Sequence, residues 1–150
     1  MTRWIELEQE IPGLRGSRVH VLPAAAEQDV RRRLLRHGFE IRVLEGSRAR
    51  GEAAFFEEAA RVLDLPAWFG ASWEAFGDCL GGLLEGDARR VAVIWRDVQL
   101  SIAADLQAVI SAALAFEAAA ASPDEDDASQ LAVFLFGEGS GFCERSWGRA

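Results

Sequence analysis

Glu74 and Asp78 stand four residues apart in LPAWFGASWEAFGDCLGG (65–82), with no lysine or arginine between them. Carboxylates at that spacing share one side of a helix, so the first chemistry to consider is a general acid and base acting as a pair. The segment supplies no third catalytic group and no sign of an enclosing pocket. His20 and His37 lack ligand spacing, so no metal is expected. GEGSG (137–141) follows an apolar run, as a phosphate loop would. It is not G-x-G-x-x-G and carries no Walker lysine, so no nucleotide or other cofactor is expected. Cys79 and Cys143 form no CxxC pair and read as two reduced thiols. The chain is not expected to be an enzyme.

What remains is the charge itself. From 64 to 87 there are five acidic residues (Asp64, Glu74, Asp78, Glu85, Asp87) and no basic one. Ser72 is a natural N-cap. Placed at about 100° per residue, Trp73, Phe76, Leu80, Leu83 and Leu84 form one apolar stripe, expected to be buried. Glu74, Asp78 and Glu85 form a narrow arc on another side, expected to be exposed. Gly77 and Gly81 lie between them, and Gly82 flanks the acids. For stability this is a poor arrangement. Like charges at i,i+4 cost a few tenths of a kcal/mol, and each interior glycine costs about 0.5–1 kcal/mol against alanine. Either the face is solvated, with small residues for close packing, or it is a thinly covered acidic surface that receives something basic.

The elements that must position this helix can be read along the chain. RVHVL (18–22) is a short strand, 23–38 a helix with Pro23 near its start and His37-Gly38 at its end, and 39–46 a second strand. That β-α-β order calls for parallel strands with a right-handed crossover. Residues 51–65 form a helix with Phe55, Phe56, Ala59, Val62 and Leu63 at helical spacing. RVAVIW (90–95) and LAVFLF (131–136) are continuous apolar runs, as in strands covered on both faces. Between them, 100–122 reads as one long alanine-rich helix, followed by an acidic turn (122–130). The fold class is α/β, with a small parallel sheet of three to four strands packed with helices. The three apolar strands form its body, and 18–22 joins at an edge.

With 150 residues and half of them hydrophobic, the chain fits one domain with a real core. Residues 1–150 are read as that domain, with a core at 39–136, an N-terminal extension at 1–38 and a glycine-rich tail at 137–150. The N-terminus, MTRWIELEQE, is unlike a signal peptide, and no apolar run approaches a membrane span, so a cytoplasmic protein is expected. A net charge of −8 argues against nucleic acid and an anionic membrane and favours a basic protein partner. Arg31, Arg32, Arg33 and Arg36 on the first helix read as a solvated basic face.

The segment 65–82 resembles the hallmark of the barstar family, intracellular inhibitors of secreted bacterial ribonucleases. The residues that carry the likeness are Leu65, Pro66, Trp68, Phe69, Gly70, Glu74, Phe76 and Asp78. The order of elements over roughly 39–136 agrees, including the strand that ends in Trp95-Arg96, and the first β-α unit is extra. The resemblance implies an inhibitor or immunity protein whose loop and helix plug the active site of a basic ribonuclease. The free protein is expected to be a monomer. Asp78 would pair with the target's cations, with Glu74 and Trp68 packing around it. Phe69, Gly70, Ser72, Gly77 and Gly81 complete the implied contact surface. Ser72 stands where the family often has Asn, and Glu74 replaces the more usual Asp. Gly77 stands where the best-known member has a large aromatic, and Gly81 and Leu83 lack a Thr and a Trp. The alternative is a module of this fold serving a partner that is not a ribonuclease.

Overall fold

The computed structural model describes residues 7, 18–66, 69–84, 89–120, 129–139 and 142. In chain order the elements are β1 (Val19–Pro23), α1 (Glu27–Arg36), β2 (Glu40–Glu45), α2 (Glu52–Leu63), α3 (Trp73–Leu83), β3 (Arg90–Arg96), α4 (Val98–Ala104), α5 (Leu106–Ala119) and β4 (Gln130–Gly137). One turn of 3₁₀ helix leads into α1 (Ala24–Ala26) and another follows β2 (Gly46–Arg48). The four strands form one sheet in the order β1-β4-β3-β2, and all neighbours are parallel.

The strand order accounts for the composition of each strand. β3 and β4 are central, and their apolar runs alternate between two covered faces. Val91, Val93, Trp95, Leu131, Val133 and Leu135 join Leu44 on one face, against Phe55, Phe56, Ala59 and Leu63 of α2, Phe76 and Leu80 of α3, and Val109, Ala112 and Phe116 of α5. Ala92, Ile94, Ala132, Phe134 and Phe136 point to the other face. There they meet Leu7, Leu22, Phe39 and, from α1, Val30 and Leu34. The architecture is therefore three layers, with the N-terminal β1–α1 unit supplying an edge strand and the helix of the second face. β1 and β2 lie at opposite edges, so the connection through α1 spans the breadth of the sheet.

The edge strand β2 carries the polar residues, and they are tied down. Buried Glu58 of α2 accepts from the Glu45 amide (2.9 Å) and is itself held by Arg61 (2.8 Å). At the end of β2, Gly46 runs against the backbone after β3. A Cβ there would collide with the carbonyl groups of Arg96 and Asp97. The contact is sealed by buried Trp95, whose Nε1 donates to Ser101 Oγ (3.3 Å), while Ser101 Oγ donates to the Gly46 carbonyl (3.3 Å).

Two expectations need correction. The single helix over 100–122 is two helices, broken at Asp105. That residue takes an extended conformation, and its carboxylate caps α5 by accepting from the Ala108 amide (3.1 Å). A carboxylate that bonds a backbone amide competes with helix continuation. Trp73, Leu83 and Leu84 are only half-buried, because the first turn and the end of α3 lie at the rim of the core. Most of the acidic turn and the glycine-rich tail lie outside the described residues. Among the described residues, no helix is long and apolar enough to cross a membrane.

Candidate protein-binding site

α3 begins as its residues dictate. Ser72 is extended, and its Oγ accepts from the Ala75 amide (3.1 Å), satisfying one donor of the first turn. The loop ahead of it is bracketed by two non-glycine residues with left-handed backbone, Asp64 (φ 51°) and Ala71 (φ 50°). Asp tolerates that region through its short polar side chain; alanine has no such help and carries strain of about 1–2 kcal/mol. Packing holds the loop against that strain. The Phe69 amide donates to the Pro66 carbonyl (2.9 Å), and the Phe69 ring meets Phe56 edge-on at 5.5 Å. Trp73 lies on Phe56 at 4.5 Å, and buried Phe76 meets Phe55 and Phe116 edge-on. Phe69 of the loop and α3 thus stand on one continuous aromatic cluster.

The expected contact residues fall as follows. Glu74 and Asp78 are exposed, and among the described residues neither forms an ion pair or a side-chain hydrogen bond. Gly70, Ser72 and Gly81 are exposed and Gly77 is half-buried. Phe69 is half-buried, so only part of its ring is open to a partner. Trp68, Glu85 and Asp87 lie outside the described residues. Among the described residues, a Cβ built on Gly70, Gly77, Gly81 or Gly82 would meet nothing within 4 Å. Packing among the described residues therefore does not call for these glycines, which speaks against the close-packing reading of the small residues.

Asp64, counted with the acids by sequence, belongs to a different arrangement. Arg42 of β2 donates to Asp64 Oδ2 (2.9 Å), to the Val62 carbonyl (2.9 Å) and to Glu40 (3.0 Å). Arg89 donates to the Leu83 carbonyl (3.0 Å) and to the same Glu40 carboxylate (3.0 Å). The two guanidiniums cap the C-terminal ends of α2 and α3, where carbonyls lack helical partners. The Asp64 carboxylate holds the Arg42 guanidinium above its ordinary pKa, with burial opposing and Glu40 reinforcing. Sequence reading missed this network because its charged members come from three separate segments, β2, the end of α2 and the residue before β3, which only the fold brings together. Cys79, behind Asp78, is buried. Burial first, and the Asp78 charge second, push its thiol pKa up. Among the described residues, no three His, Cys, Asp or Glu side chains gather as a metal site would require.

The fold and the site together describe a parallel α/β domain that presents an acidic, glycine-bared helix on an aromatic footing. The family described as Barstar (barnase inhibitor) matches residues 39–135, well over half of the chain, and the protein belongs to that family. The match begins just before β2, so β1 and α1 precede it. No curated protein sequence matches the chain. Among solved structures, Cdc6p from Pyrobaculum aerophilum is similar at 15% identity and a TM-score of 0.47, over 85% of this chain and 35% of that one. The chain spans about a third of that protein's length, and a likeness so loose carries no argument.

Proposed function

We propose that this protein is an inhibitor of a basic ribonuclease, acting as an immunity protein inside the cell and not as an enzyme. α3 and the loop before it form the contact surface, and Asp78 is its anchor. The observation that carries this reading is the state of Asp78: exposed, without a cationic partner among the described residues, on a helix face whose glycines no packing among those residues requires. Glu27, Asp29, Glu40, Glu45, Glu58 and Asp64 all find arginines of their own chain. Family membership supports the class of partner. The physics supports the mode. A carboxylate that meets its cations only in a complex loses water once, against a site already shaped for it, and steers a basic partner at longer range. Glu74 and the open part of Phe69 border that contact, with Trp68, Gly70, Ser72, Gly77 and Gly81 as further members.

The test is depletion of activity. The purified chain is immobilised, and ribonuclease activity in the organism's own secreted fraction is measured before and after passage. The wild type is expected to remove activity and Asp78→Asn to leave it. No depletion by the wild type, or equal depletion by both, contradicts the proposal.

A further inference from the structure

Among the described residues five large apolar side chains are exposed. Val21 on β1 and Leu35 on α1 stand singly, which is normal on a protein surface. The other three share one helix. Leu106 (55% exposed), Ile110 (47%) and Leu114 (65%) follow one another every fourth residue along α5. We infer that a second copy of this chain docks on that stripe, α5 against α5 about a two-fold axis, in a weak dimer that forms as concentration rises. Such pairing departs from the free monomer expected of the sequence, and it does not depend on the inhibitor reading.

The stripe is not an extension of the core. Ala108, Val109, Ala112 and Phe116 bury one side of α5, and at about 100° per residue Leu106, Ile110 and Leu114 lie on the opposite side. Other helices turn charge toward water, with Arg32 and Arg36 exposed on α1 and Glu57 and Arg61 on α2. α5 has no basic residue and one carboxylate, the half-buried Glu117. A helix that is apolar on every side is one that is covered on every side.

Charge and symmetry name the occupant. With one carboxylate, α5 offers a basic partner no anchor. Two copies at a net charge of −8 repel one another, and the repulsion is weakest where uncharged surfaces meet. The stripe also reads alike in both directions about Ile110. In an antiparallel pair, Leu106 of each copy meets the other's Leu114 and Ile110 lies on the axis, so the contact is self-complementary and closes as a dimer. Residues four apart form the ridge used in the commonest packing of two helices. Ser111 and Ala115, small residues of the adjoining row, leave the groove that takes the other copy's ridge. One helix face about 18 Å long, from Leu106 to Ala118, gives less than the roughly 800 Å² that each partner contributes to a standard interface. The dimer is therefore weak and dissociates on dilution.

Sedimentation equilibrium of the whole chain, from micromolar to near-millimolar concentration, tests the pairing. The average mass should rise from 16.4 kDa toward twice that value. The rise should be steeper at high salt, which screens the repulsion between two acidic copies. Ile110→Glu sets two carboxylates face to face on the axis and should weaken the dimer by about a hundredfold or more. Its circular dichroism spectrum and urea midpoint should stay those of the wild type, because the residue is exposed. In a Cys143→Ser background, Ile110→Cys should cross-link to a disulfide dimer under a mild oxidant, while Leu35→Cys, at a more exposed position on α1, should not. A mass that stays at one chain at every concentration overturns the inference. So does a dimer that persists in Ile110→Glu, or equal cross-linking of the two cysteine variants. If the wild type stays monomeric and Ile110→Glu abolishes depletion of ribonuclease activity, the stripe belongs to the nuclease and the pairing falls. A dimer in a chain that depletes no activity leaves the pairing standing and removes the inhibitor reading alone.

Discussion

Helices α1 and α3 are nearly equal in length, yet they treat charge and backbone in opposite ways. In α1 the acids come first and the arginines follow one turn later. Glu27 holds Arg31 (3.1 Å), and Asp29 holds Arg33 (3.0 Å) and Arg32 (3.4 Å). Glu27 also reaches Arg96 at the end of β3 (3.0 Å), tying the N-terminal unit to the sheet. No glycine interrupts α1. α3 has like charges stacked, glycines at 77, 81 and 82, and no ion pair for Glu74 or Asp78 among the described residues. α1 is built to hold the molecule together, sealing a face of the sheet that the family-matched region leaves to it. α3 carries groups whose value lies outside the chain.

The sharpest contrast is between glycines. Gly46 is demanded by the approach of the Arg96 and Asp97 carbonyls, which cannot move aside as a flexible side chain could. Gly46→Ala should destabilise the fold by about 3 kcal/mol or more, the scale of a severe packing error, seen as a large fall in the urea midpoint. A near-neutral result would show that the backbone there can open, and would remove the standard against which the α3 glycines are judged.

The same contrast runs through the carboxylates. Asp29→Asn should destabilise by about 1 kcal/mol, because it removes two helix-surface pairs and a negative charge in the first turn. Arg31, paired to Glu27, should matter little to partner binding. An unchanged melt for Asp29→Asn would mean that these pairs are surface geometry without energetic weight.

Gly81→Ala tests α3 from the other side. It should stabilise the free protein by roughly 0.5–1 kcal/mol and weaken the partner complex, because a methyl group now stands on the contact face. Stabilisation without any effect on binding would separate the glycines from the interface.

Much of this was legible in the sequence, for identifiable reasons. Period-two and continuous apolar runs placed all four strands within a residue or two, and the three other runs, forming the body of the sheet, left 18–22 to an edge. Ser72 and the helical spacing of Phe76 and Leu80 placed α3 and its buried face. The break at Asp105 was hidden because the surrounding alanines and leucines keep helical periodicity, and the residue three later is Ala108, not the Glu or Gln of a capping box. The assignment of helices to the two faces of the sheet was hidden as well: an apolar run says that both faces are covered, not by what. The Glu40–Arg42–Asp64–Arg89 network had no local signature, and neither did the burial of Glu58. The openness of Gly82 depends on what surrounds it, which no spacing reveals.

The smallest expected effect concerns Cys79. Its raised thiol pKa favours the protonated form in the folded protein. Its contribution to stability is thus complete below the unfolded thiol pKa and declines as pH rises beyond it. In a Cys143→Ser background, alkylation by iodoacetamide at pH 8 should be much slower in the folded than in the urea-unfolded chain. Asp78→Asn should speed it only slightly, since burial is the larger cause. A large acceleration would place the Asp78 charge in closer contact with the core than its exposure indicates.

The most direct measurement is Asp78→Asn read twice, by titration calorimetry against the captured ribonuclease and by urea melting of the free protein. Losing the anchor should weaken the complex by about 2 kcal/mol or more, since the partner's cations would be left buried and unpaired. The same change should leave the free protein equal or more stable by a few tenths of a kcal/mol, because a like-charge neighbour of Glu74 is gone. Binding equal to wild type, or a loss of stability matching the loss of affinity, would contradict the account and return the acidic face of α3 to ordinary surface.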